Sequence, residues 1–208
     1  RLLASMIPAT SLVGQIERTL DPTIREANSV IDRVYAKTPS LSKNLPPRRN
    51  LFGDPIVLEG GLGWDFVSPV YTSTNKKDKV ADEIVKQEVG INMHSKFYGT
   101  GHFKTEYTPE EYDKLVLLTG KEVKDKKGRN LHQALAALIK SDGYNSSRMT
   151  DGADGSRAAA IKNLINDYKK AGLKMLLKDQ DFNDLRLRIE ENEIKKRAAF
   201  DNEFEIGR

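Results

Sequence analysis

The stretch "TPEEYDKLVLLTG" (residues 108–120) decides the fold class, because it carries the marks of a helix at both ends. Thr108 suits the N-cap, where its side-chain oxygen accepts one of the amide hydrogens that a first helical turn leaves unbonded. Pro109 follows at the first helical position, with φ already set and no N–H to waste. Glu111 stands three residues after the cap and can reach back to close a capping box. Tyr112, Leu115 and Val116 then share one face, with Leu118 and Thr119 beside them, and Gly120 is expected just past the end.

The same grammar extends towards the C-terminus. "KEVKDKKGR" reads as a charged turn, after which Asn130 can cap "LHQALAALIKSDG", with Leu131, Leu135, Leu138 and Ile139 as the buried face and Gly143 as the stop. After the polar loop "YNSSRMTDGADGS", Asp154 or Ser156 is expected to cap the longest helix, reaching about Lys178. Ile161, Leu164, Ile165, Tyr168, Met175 and Leu176 keep its period across Gly172, which should cost only ~1 kcal/mol there. A final charged helix is expected from about Phe182 to Phe200. Its stripe of Leu185, Ile189 and Ile194 is sparse, as in a peripheral element or one completed by a neighbouring chain.

Towards the N-terminus, a helix is expected from about Lys79 to Val89, with Val80, Ile84, Val85 and Val89 as its stripe and Gly90 stopping it. "INMHSKFYGTGHFKTEY" has aromatics and glycines but no period, and reads as a loop. Asp21 and Pro22 open another helix, which carries Ile24, Ala27, Ile31, Val34 and Tyr35 to about Lys37. Between these helices the chain is rich in proline and glycine. Some thirty residues of it should be extended and irregular, although "PIVLE" and "DFVSPVY" can pair as short strands with Pro69 keeping the second at an edge. Its many large apolar residues make it a segment that wraps a partner rather than a solvated linker. The expected class is therefore mainly α, a helical bundle with a long irregular Pro/Gly-rich extended segment. Its parts are an N-terminal helical segment (1–37), an extended docking segment (38–78), a helical domain (79–180) and a charged C-terminal helix (181–208).

The 208 residues contain no cysteine, which leaves no disulfide framework or thiolate metal site and fits a reducing compartment. The 34 Lys+Arg against 30 Asp+Glu leave a formal charge of +4, too mild by itself to argue for a nucleic-acid binder. The chain opens inside an amphipathic pattern, so it is expected to be a piece of something longer. "LLASMIPATSLVG" near its start is interrupted by Pro8 and hydroxyl residues, and falls short of the ~20 apolar residues that span a bilayer.

Catalytic signals are sparse. His94, His102 and His132 do not have metal-ligand spacing, and "TDGADGS" departs from a calcium loop at Ala153 and Lys162. "EGGLGW" is followed by a strand-like stretch rather than a phosphate-binding helix, and no nucleophile-elbow motif occurs. No catalytic residue, metal or cofactor is therefore expected. Basic pairs occur at Arg48/Arg49, Lys76/Lys77, Lys126/Lys127 and Lys169/Lys170, with "KKR" at 195–197. The sharpest of them is Arg48/Arg49, because Pro46, Pro47 and Phe52 hold the backbone extended and aim the guanidinium groups as a docking strand would. Trp64 can serve equally as core or interface anchor.

Taken in order, "LSKNLPPRRNLFGDPI", "SPVYTS", "YTPEEYDKLVLLTG" and the run from "LHQALAALIKSDG" to "AGLKMLL" resemble the C-terminal region of the large polyvalent proteins and internal virion (ejection) proteins of tailed bacteriophages. That resemblance implies a mostly helical segment of a giant protein, packaged in several copies inside the capsid near the portal and delivered into the host envelope during infection. It places enzymatic activities in other domains and assigns no catalytic residue to this segment. Pro46, Pro47, Arg48, Arg49 and Gly53 become docking residues, beside Phe52 and Trp64. The implied partners are other copies of the chain in a homo-oligomer, the portal, other internal proteins, phage DNA and the host envelope. The charged tail after residue 180 departs from the pattern. Two readings from other classes stand beside this one: a nucleic-acid contact module lining a DNA path through its basic pairs, and a small helical hydrolase.

Overall fold

The computed structural model describes residues 45–56 and 78–206, the last six by their backbone alone. The chain divides into two units. One comprises Leu51–Gly53 and Lys79–Arg208; of the other, Arg1–Asn50 with Asp54–Asp78, the segments 45–50 and 54–56 and residue 78 are described. The helix expected from Asp21 to Lys37, the strand "DFVSPVY" and the turn "EGGLGW" lie outside the described residues.

The larger unit is mostly helical, as the mainly α class requires. In chain order it contains α1 (Lys79–Lys86), a small antiparallel hairpin of β1 (Phe97–Tyr98) and β2 (Thr105–Glu106), and α2 (Pro109–Leu117), which runs into a π turn (Leu118–Glu122). Then come α3 (Leu131–Ile139), α4 (Ser156–Leu176), a 3-10 turn (Gln180–Phe182) and α5 (Asn183–Ile206). The spine is α4, about 31 Å long at 1.5 Å per residue. Its first two-thirds bury Ala158, Ile161, Ile165 and Tyr168 against Val80 and Ile84 of α1 and Leu131 and Leu135 of α3. Its end delivers Leu176 into a second cluster with Tyr112, Leu115 and Val116 of α2, Leu118, Tyr107 and Leu185 of α5.

The expected capping box at Thr108 forms, and the expected cap Asn130 turns out to close a second box with Gln133. Thr108 Oγ1 accepts from Glu111 N and Glu111 Oε2 from Thr108 N, while Asn130 and Gln133 make the same exchange at the head of α3. The far end of α2 differs from expectation. Gly120 does not terminate it but lies within the π turn, where Val123 N bonds back to Leu118 O at 2.8 Å and Thr119 Oγ1 donates to Leu115 O at 2.9 Å. This glycine is there for close approach, because a Cβ on it would stand 2.3 Å from the Phe52 carbonyl carbon. Gly172 acts similarly from α4, where a Cβ would lie 2.3 Å from Thr119 Oγ1. The π turn is thus gripped from both sides through positions that lack side chains.

Several other ends also depart from expectation. α1 stops at Lys86 in a Schellman motif: Glu88 takes φ +50, its N–H bonds Val85 O at 3.0 Å, and Val89 N bonds Ile84 O at 3.1 Å. Gly90 therefore follows a stop already made, and Val89 is buried from beyond the helix while Val85 is 75% exposed. α3 likewise ends at Ile139, before Gly143. Neither Asp154 nor Ser156 caps α4. Gly155 holds that place, since a Cβ there would meet Thr150 O at 2.4 Å, and Ser156 instead exchanges bonds with Thr150. Met175 turns outward, and the aromatic loop contains the β1–β2 hairpin, turned by Gly99 and Gly101 at positive φ.

Candidate docking site

The stretch from Pro46 to Ile56 is a tight hairpin. Arg49 bridges Pro55, Ile56 N bonds Arg48 O at 2.8 Å, and Asn50 N bonds Asp54 O at 2.9 Å. Asn50 Oδ1 accepts from Asp54 N at 3.0 Å, and Gly53 supplies the left-handed residue of the turn at φ +79. Pro46, Pro47 and Arg49 are half-buried, Leu45 is buried, and Arg48 is exposed. Leu51 and Phe52 pack against the first apolar cluster of the helical unit, where the Phe52 ring meets the His132 ring edge-on at 4.9 Å. Two of the expected docking residues, Phe52 and Gly53, are thus engaged within the chain itself. Trp64 and the Lys76/Lys77 pair lie outside the described residues.

Chemistry-bearing side chains gather at three further places, none of which the sequence reading picked out. At the first, His94 Nε2 lies 2.8 Å from Thr119 Oγ1. The threonine has one hydrogen and gives it to Leu115 O, so the imidazole is the donor and carries its proton on Nε2. That is the reverse of what activates a hydroxyl nucleophile, which must give its proton to the base. Burial, helped by the charge of Lys169, pushes the His94 pKa down to about 4 and keeps the ring neutral. Lys169 is itself turned inward and donates to Asn92 O at 3.0 Å and Met93 O at 3.4 Å, while Tyr112 OH donates to His94 O. The group pins residues 92–94 across α2 and α4.

At the second place, the fully buried Gln87 spends both amide hydrogens on carboxylates, Glu83 at 2.9 Å and Asp151 at 2.5 Å, and accepts from Gly152 N at 3.1 Å. Tyr144 OH donates to Glu83, and Arg157 joins Asp151 to the carbonyls of Tyr144 and Ser146. Hydrogen bonds from Arg157 and Gln87 hold the Asp151 carboxyl below its ordinary pKa, and burial with the Glu83 bond pushes the Tyr144 phenol upward. At the third, Arg188 of α5 pairs with the buried Glu111 of the α2 capping box, and also bonds Glu106 O at 2.7 Å and Asp184 at 3.1 Å. These are ties between distant segments. The long-range ones among them, Gln87 to Asp151, Tyr144 to Glu83, Lys169 to Asn92 and Arg188 to Glu111, join residues some 60 to 80 positions apart. Pairs four apart, such as Glu83 with Gln87 and Asp184 with Arg188, are the local trace in the sequence.

The histidines do not meet: His102 is exposed on the hairpin turn and His132 lies under Phe52. Among the described residues no three His, Asp or Glu side chains gather as metal ligands, and no helix is long and apolar enough to cross a membrane. Of the basic pairs, Lys126/Lys127 and Lys195–Arg197 are exposed, whereas Lys169 is committed to carbonyls. The chain matches no family model, no curated protein and no solved structure.

Proposed function

We propose that the chain is a structural and interaction module of the kind its motif order resembles, the C-terminal part of a tailed-phage internal virion protein that is packaged near the portal and delivered with the genome. In this reading the helices form a bundle, and the segment 38–78 wraps a neighbouring virion protein or another copy of the chain. The observation that supports it most is the hairpin at residues 46–56. Its main chain is held by two prolines, three hydrogen bonds and a left-handed glycine, while Arg48 is exposed and makes no side-chain bond among the described residues. With the backbone already held, the ordering cost of docking Arg48 is confined to its side chain, whose planar guanidinium suits a carboxylate or an aromatic face.

The test is a photo-crosslinking amino acid in place of Arg48, in assembled particles. Covalent adducts with the portal or a neighbouring internal protein are expected. Adducts confined to the chain's own residues would overturn the docking role. Adducts with the genome would replace it by the DNA-path reading, in which binding must weaken steeply as salt rises.

A further inference from the structure

Helix α5 has two sides of different character. Leu185 is fully buried, Ile189 packs on the second apolar cluster, and Asn192 donates to Thr105 Oγ1 at 2.9 Å, so this side belongs to the body. From Glu193 to Ala198 every residue is exposed. Ile194 stands nine positions after Leu185, which at about 100° per residue puts it on the opposite side of the helix. Leu187, seven positions earlier, shares that outer side, and the two are 59% and 51% exposed. Glu190 and Glu191 flank Ile194 about one turn before it, and Lys195 and Arg197 within one turn after it. A projecting helix that is polar almost all round needs a partner or many internal ion pairs. Yet the ion pairs of α5 among the described residues all run through Arg188, on the body side.

We propose that the outer face of α5 is a self-association surface on which a second copy of this chain docks antiparallel, the two helices crossing at Ile194. Charge complementarity selects this occupant and this direction. With a two-fold axis at Ile194, Glu190 of one copy lies opposite Arg197 of the other, and Glu191 opposite Lys195, on both sides of the axis. A parallel pair would set Glu190 against Glu191 and Lys195 against Arg197, which is repulsive throughout. The contact extends the expectation that copies of this chain meet, but it stands on α5 alone and its failure would leave the Arg48 crosslinks untouched.

Sedimentation velocity on the 208-residue chain tests it through charge reversal. The wild type should dimerise, more weakly as salt rises. The pair Glu190→Lys/Glu191→Lys and the pair Lys195→Glu/Arg197→Glu should each weaken association by about tenfold or more, because the facing charges become alike. Mixing the two variants should restore a heterodimer, and all four changes in one chain should restore the homodimer. Direction is read separately, since the chain has no cysteine of its own. Ile194→Cys should oxidise to a covalent dimer, whereas Leu187→Cys should not, its two copies lying about 21 Å apart along an antiparallel pair. A wild type that stays monomeric at about 1 mM, reversals without effect, or a mixture that fails to associate would overturn the proposal. Self-crosslinking at Leu187→Cys would overturn its direction.

Discussion

Replacing Gly172 by alanine separates two accounts of the fold by the sign of one measurement. Were this an ordinary helical glycine, alanine would stabilise the protein by ~1 kcal/mol through its higher helix propensity. The structure requires the opposite. The new methyl carbon would sit 2.3 Å from Thr119 Oγ1 and 3.2 Å from that residue's Cα and N, so α4 and the π turn must separate or the hydroxyl must move. Thr119 is 2% exposed, and its hydroxyl holds both the Leu115 carbonyl and the His94 ring. Overpacking of this kind costs roughly 1–3 kcal/mol, and losing either hydrogen bond adds about 1 kcal/mol. After the propensity gain, Gly172→Ala should destabilise by about 1–3 kcal/mol. Urea unfolding of Gly172→Ala, Thr119→Ala and the double variant closes the cycle. With the hydroxyl gone, the added methyl should cost less, giving a coupling of about 1 kcal/mol or more between the two sites. Stabilisation by Gly172→Ala, or additive effects, would refute the close approach.

Four other outcomes follow from local features of the fold. Glu88 occupies the left-handed place of a Schellman motif, so Glu88→Gly should raise stability by about 0.5–1 kcal/mol, read from the denaturation midpoint. Arg188→Ala strips the buried Glu111 carboxylate of its cation and should cost about 2–3 kcal/mol, with Glu111→Gln in the same chain recovering part of it. His94 has its pKa lowered from 6.5 to about 4, so the unfolded chain binds more protons between those values. Stability should therefore be full above pH 6.5 and fall by about 3 kcal/mol as the pH drops towards 4, and His94→Gln should flatten this limb. The Asp125 and Asp151 carboxyls, held low chiefly by Arg129 and Arg157, act in a separate and more acid window, losing their contribution as they protonate below pH 3.8.

What was legible in the sequence is what is local. Thr108 with Glu111, and Asn130 as a cap, announce their helices because each acts within four residues. The apolar positions of α4 follow its period wherever a side chain does the packing, as Ile161, Ile165, Tyr168 and Leu176 show. At Gly120, Gly155 and Gly172 structure and expectation part for one shared reason: contact there is made by main chain against main chain or by one hydroxyl, and an absent side chain leaves no period to read. The ties that set the geometry of the candidate sites, Gln87 to Asp151, His94 to Thr119 and Arg188 to Glu111, join segments whose proximity only the fold creates.

Helix α5 carries that lesson further, because its stripe is sparse only when read as one stripe. Leu185, Ile189 and Ile194 do not share a face: at about 100° per residue the first two turn towards Asn192 and the body, and the third joins Leu187 on the far side. Between Asn183 and Ala198 the inner side has Leu185 and Ile189 packed on the body, and the outer side has Leu187 and Ile194 exposed. The inner side is completed by Arg188 and Asn192, which reach Glu111 and Thr105 of the body. By the same reasoning the outer side should complete itself with charge, and its acidic-then-basic order around Ile194 is the order that lets a copy of itself supply the partners.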